Sequence, residues 1–84
     1  MQTADGGLRA NAQIPAGDLL STCTGLVALA DLEGLDAVNL DRVARFTSDL
    51  ENAAGGFRGG AWDRQVDAEY TFYGLATRAF LATA

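Results

Sequence analysis

Two carboxylates, Asp67 and Glu69, stand two positions apart just ahead of an apolar stretch. Acids at that spacing can share a cation or serve an acid role; at a helix start they equally accept from unpaired backbone N–H groups. Asp67 and Glu69 are therefore the candidate catalytic residues, and Asp18 also has the type and place of a helix N-cap. Arg9 and Arg58 each follow a Gly-Gly pair. A guanidinium there can hold a diphosphate, or it can tie loop carbonyls or a neighbouring carboxylate. Trp62, Tyr70, Phe72, Tyr73 and Phe80 gather in the last third of the chain. They offer an aromatic wall whose π faces favour cations, or ordinary inter-helix packing. Cys23 is the only thiol, and no histidine or lysine is present to activate it. It reads as a small buried apolar residue. The Gly-Gly pairs lack the spacing of the common phosphate-binding fingerprints and read as positive-φ turns.

Composition narrows the classes. The net charge is −5, and every cation is an arginine. No basic stripe marks a nucleic-acid phosphate binder. A single cysteine excludes a disulfide within the chain and points to a reducing compartment or to no redox constraint at all. Met1-Gln2-Thr3-Ala4-Asp5 lacks the charged and apolar pattern of a leader, and the apolar run Gly25 to Ala30 falls far short of a membrane span. The expectation is a cytoplasmic chain with no nucleic-acid partner and no membrane span. Eighty-four residues bury only a modest core.

The elements that must position these residues repeat. At an offset of 49 residues, Gly6-Gly7-Leu8-Arg9 falls on Gly55-Gly56-Phe57-Arg58. In the same register Asp18 meets Asp67, Thr22 meets Thr71, Gly25-Leu26 meets Gly74-Leu75 and Ala30 meets Ala79. Eleven of the 35 overlapping positions are identical, well above what an Ala- and Gly-rich composition gives by chance. A fixed period of this length signals stacked helical hairpins. One unit is a Gly-Gly loop, an inner helix and an outer helix. The first covers about residues 4–52, and a partial second about 53–84.

The inner helix is predicted from about Asp18 to Leu32, with Gly34 as its C-cap. It is apolar nearly all round, as a helix covered on several sides should be. The outer helix is predicted from about Leu40 to Ala53, with Asn39 as N-cap. Leu40, Val43, Phe46, Thr47 and Leu50 form its apolar stripe, and Asp41–Arg45 and Arg45–Asp49 are spaced to pair across one turn. A third helix, from about Asp67 to Ala82, repeats the first. The fold class is all-α, with roughly three main helices. The expectation is that the unfinished repeat needs either more chain or further copies.

Gly55-Gly-Phe-Arg-Gly-Gly60 followed by Asp67-Ala-Glu-Tyr-Thr-Phe-Tyr-Gly-Leu75 resembles the repeat of protein prenyltransferase β subunits and, more widely, of squalene and hopene cyclases. The first copy, Gly6-Gly7-Leu8 with Asp18 to Leu26, matches the same frame more weakly. The resemblance implies an α/α toroid whose inner helices line an apolar cavity for an isoprenoid. It makes Trp62, Tyr70, Tyr73 and Arg58 the isoprenoid-binding candidates, with an isoprenoid diphosphate or another apolar ligand as partner. The zinc of the protein prenyltransferases would require Cys and His where this chain has Leu20 and Glu69, and Ser21 and Tyr70. No zinc or other cofactor is therefore implied, and the Asp-rich acid motif of the cyclases is absent. A transferase activity is left open on these residues. The function implied is a segment of a prenyltransferase-like toroid; the alternative is a non-catalytic helical module that associates with itself or a partner.

Overall fold

The computed structural model describes residues 2–11, 14, 16–53, 55–61 and 68–83. The described residues form three α-helices: α1 (Leu19–Asp31), α2 (Leu40–Asp49) and α3 (Ala68–Thr83). A 3-10 turn, Leu35–Ala37, separates α1 from α2. The described residues form no β-strand, only isolated antiparallel bridges between Gln2 and Leu8 and between Glu51 and Phe57. The protein is all-α.

Local chemistry sets the helix starts. Asp18 is extended, and its carboxylate accepts from the Ser21 N–H at 2.7 Å and the Ser21 hydroxyl at 2.9 Å. Asn39 caps α2 in the same way, accepting from the Arg42 N–H at 3.1 Å. Such caps satisfy donors that a helix leaves unpaired at its first turn. The cap expected from Asp67 lies outside the described residues.

The helix ends depart from expectation. α2 stops at Asp49, well before Ala53. The following residues commit their backbone to the second Gly-Gly loop: the Leu50 carbonyl accepts from Arg58 N–H at 3.0 Å, and Asn52 N–H donates to Gly56 at 2.8 Å. α1 ends in a Schellman turn, with Gly34 N–H donating to the Leu29 carbonyl at 2.7 Å and Glu33 N–H to Ala30 at 3.1 Å. The left-handed residue of that turn is Glu33, at φ 56°, and not Gly34.

Two apolar clusters make the core. Leu8, Leu26, Val38 and Val43 form one, flanked by Leu29, Leu35, Leu40, Phe80 and Leu81. Leu19, Phe46, Leu50 and Phe57 form the other, flanked by Tyr70 and Tyr73. α2 belongs to both, through Val43 and Phe46. Its expected stripe is buried or half-buried, while Asp41, Arg42, Arg45 and Asp49 are exposed. Neither Arg45–Asp41 nor Arg45–Asp49 closes to an ion pair; the ion pair formed between described residues is Arg78–Glu51, at 2.8 Å. α1 is less enclosed than its all-round apolar pattern implied. Leu20 and Val27 are exposed, and Leu32 is 78% exposed, because α2 and α3 cover one side of the helix only.

A non-glycine residue in the left-handed region carries a steric cost of about 1 kcal/mol. Replacing Glu33 by glycine at this turn is expected to raise stability by about that amount, a Tm increase of roughly 5 °C for a chain of this size. Thermal unfolding followed by circular dichroism measures it. An unchanged or lowered Tm would mean that Glu33 is unstrained there.

Candidate functional site

The two Gly-Gly loops are built by the same bonds. Thr3 N–H donates to the Gly7 carbonyl at 2.8 Å, and Gly6 N–H to Thr3 at 3.0 Å. One period later, Asn52 N–H donates to Gly56 at 2.8 Å, and Gly55 N–H to Asn52 at 2.8 Å. Gly6 and Gly55 hold φ of 94° and 106°, which only glycine adopts without strain. Each turn delivers the next apolar residue, Leu8 or Phe57, into the core at 1% exposure.

A threonine on the following helix receives each loop. Leu8 N–H donates to Thr22 Oγ1 at 2.9 Å, and Phe57 N–H to Thr71 Oγ1 at 3.0 Å. A glycine one turn on makes room for each side chain. A Cβ at Gly25 would come within 2.8 Å of Leu8 Cδ1, and one at Gly74 would overlap the Phe57 ring. Thr-x-x-Gly in each helix is thus a receiver for the loop, acceptor and seat, and in the first helix Asp18 adds the cap. Sequence reading found these identities but assigned them no role beyond the cap.

The predicted site residues fall into this frame. Arg58 donates from Nη2 to the Asp49 carbonyl at 3.1 Å, bracing the end of α2. Tyr70 is half-buried with its ring against Gly59, and Tyr70 and Tyr73 both pack on the Leu19–Phe46–Leu50–Phe57 cluster. Tyr73 also meets Phe72 edge to face, with centroids 5.4 Å apart at 71°. Glu69 is exposed in the first turn of α3. Trp62 and Asp67 lie outside the described residues. The structure therefore brings Arg58, Tyr70 and Tyr73 to the second loop and its receiving helix.

Outside that group lies a groove that sequence reading missed. It has a volume of about 400 Å³ and runs along α1 past Ser21, Thr24, Gly25 and Ala28 to Arg9 and Ala10. The available signal was a row of small residues at helical spacing, Ser21, Gly25 and Ala28, opposite the leucines of α1. The positions matching the prenyltransferase zinc ligands carry Leu20, Ser21, Glu69 and Tyr70, a set without thiolate or imidazole that does not fit zinc.

The second loop differs from the first in three linked positions. Where the first has Gln2, Leu8 and Leu29, the second has Glu51, Phe57 and Arg78. Gln2 donates from its amide to the carbonyls of Gly6 at 2.8 Å and Asn39 at 3.0 Å, and accepts from Asn39 N–H at 3.0 Å. Glu51 instead accepts from Arg78, whose guanidinium lies 5.2 Å from the centre of the Phe57 ring. That hydrogen bond holds the Glu51 carboxyl below the usual carboxylate range and raises Arg78.

No protein-family model matches the chain, and neither does any curated protein.

Gly74→Ala tests the seat. Alanine ordinarily stabilises a helix interior relative to glycine, by about 1 kcal/mol. Overlap with Phe57 reverses the sign, and a net loss of about 1–2 kcal/mol is expected in denaturant unfolding. A gain would show that Phe57 moves aside freely. The Glu51–Arg78 link predicts a pH effect. A lowered folded pKa means that the link is intact above the unfolded carboxyl value and lost as pH falls through the folded one. Carboxyl NMR should place the Glu51 midpoint below the ordinary glutamate range, and Arg78→Met should return it there. Equal midpoints in both proteins would remove the link.

Proposed function

We propose that the chain is a segment of a prenyltransferase-like α/α toroid that contributes inner helices to an apolar isoprenoid pocket. The observation that carries this reading is the recurrence of one loop-and-receiver geometry at both Gly-Gly motifs, in the frame whose residues resemble that family's repeat. A unit that repeats its hydrogen bonds as well as its residues is the working part of a stacked array. The second receiving helix carries Tyr70 and Tyr73, and aromatic faces of this kind suit a polyene chain and the cationic character it develops on reaction. Arg58, beside that helix, is the basic group nearest to the family's diphosphate role.

A second reading is favoured by what those residues already do. Tyr70 and Tyr73 pack on the core, and Arg58 braces the Asp49 carbonyl. In this reading the chain is a non-catalytic helical module whose open faces associate with further helices.

Titration with farnesyl diphosphate, followed by fluorescence of the single tryptophan, Trp62, and by calorimetry, separates the two. The isoprenoid reading expects saturable binding that Tyr73→Leu weakens by about five- to tenfold, the worth of one aromatic contact of about 1 kcal/mol. Absence of saturable binding at any protein concentration would overturn it and leave the interaction module.

A further inference from the structure

The junction between α1 and α3 shows how one inner helix receives the next. α1 presents Leu19, Thr22 and Leu26, all fully buried, to the two core clusters. α3 enters those clusters with Tyr70, Tyr73, Phe80 and Leu81, and on the same face Gly74 and Thr77 are buried. The Leu26 cluster thus meets Phe80 and Leu81 of α3, the Leu19 cluster meets Tyr70 and Tyr73, and the Phe57 ring lies over Gly74.

The repeat register places a counterpart of both faces on each helix, so the chain has an open copy of each. On α3 the position matching the buried Leu26 is Leu75, exposed by 54%; Phe72, exposed by 63%, stands at the place of the half-buried Cys23. On α1 the positions matching Tyr70, Tyr73, Gly74 and Thr77 are Ser21, Thr24, Gly25 and Ala28, the wall of the 400 Å³ groove. Phe72 and Leu75 are bare at one end of the array, and at the other the groove, with Leu8 in its wall over Gly25, is open.

The surroundings agree with the same register. Within the chain, Leu19 N–H at the head of α1 donates to the Gly59 carbonyl at 2.8 Å. The matching pair is Ala68 N–H, at the head of α3, and the carbonyl of Ala10, on the groove rim. Glu69, one turn before Phe72, matches Leu20; Arg9, also on the groove, matches Arg58. Opposite charges thus stand beside the two open faces.

We propose that these faces bind each other in two copies of this chain, head to tail, with Phe72 and Leu75 of one copy packed along the groove that Leu8, Ser21, Thr24 and Ala28 line in the next. The contact is heterologous: it joins different surfaces, and further copies add in the same sense until a ring closes or a filament grows. It rests on the interaction-module reading and supplies its partner. It needs no isoprenoid, so failure of ligand binding and failure of assembly are separate results.

The test is sedimentation velocity with light scattering over a wide concentration range, without ligand. Wild type is expected to gain mass with concentration. Leu75→Asp breaks the Phe72–Leu75 face, and Ala28→Trp fills the groove; both positions are exposed, so each variant should keep its helical circular dichroism. Each variant alone is expected to remain monomeric. An equimolar mixture is expected to form a dimer and stop there, because it holds one good Phe72–Leu75 face and one good groove. A monomeric wild type at every concentration would overturn the proposal. So would assembly of Ala28→Trp alone, or a mixture that stays monomeric while both variants retain the fold.

Discussion

Each Gly-Gly loop is fastened to the helix that follows it by one hydrogen bond, buried from the backbone of Leu8 to Thr22 and part-buried from that of Phe57 to Thr71. The bond solves a problem the loop creates. A positive-φ glycine turn drives an apolar side chain inward, and the backbone N–H of that residue goes in with it. An unpaired buried N–H costs about 1–3 kcal/mol, enough to cancel the gain from burying the side chain. A threonine hydroxyl on the helix meets the N–H, and a glycine one turn later leaves space for the side chain. Loop and helix are specified together, which is why they share one register in the sequence.

The departures between the two units also follow from packing. Leu8 is surrounded by aliphatic neighbours, among them Leu29. At the second loop the larger Phe57 ring has the Arg78 guanidinium near its centre, and Glu51 accepts from that arginine. An aliphatic contact has become a cation–π contact with its own carboxylate. In the first unit the residue at the place of Glu51 is Gln2, an amide that both donates and accepts and so bonds the backbone of Asn39 in both directions. That joins the first loop to the N-cap of its outer helix. A carboxylate cannot donate, and Glu51 turns to α3 instead.

Much of this was legible in the residues. Asp18 and Asn39 cap where their types and positions said they would, and the period-3.6 stripe of α2 is the buried face. What was not legible came from competition between neighbours. α2 had an apolar pattern and good propensity up to Ala53, yet residues 50–52 bond to the Gly-Gly loop instead. Gly34 had the type of a left-handed cap, but the Schellman geometry falls on Glu33. The pattern of α1 was read as enclosure, whereas Leu20, Val27 and Leu32 face outward. Hydrophobic periodicity reports which residues can be covered; it does not report whether a cover is present. The groove was hidden for a related reason, since small residues at helical spacing mark it only once the partner face is known.

Identical residues in an array need not have identical surroundings. Leu26 and Leu75 are the same residue type in the same place on equivalent helices, and one is buried while the other is more than half exposed. The difference lies in what stands beside each. Val38 and Val43, at the start of the outer layer, close over Leu26, and Phe80 and Leu81 flank that cluster from α3. α2 also sends Phe46, with its C-cap Leu50, into the second cluster, so a single outer helix takes part in both clusters. In such an array stability is a sum over neighbours, and each interface counts only when both of its faces are present. The apolar area of Phe72 and Leu75 is therefore unspent stabilisation on the same terms that fold the first unit. In the register of the repeat, the counterpart of the side of α3 that carries Tyr70, Tyr73, Gly74 and Thr77 is the free side of α1, where Ser21, Thr24 and Ala28 line the groove with Leu8.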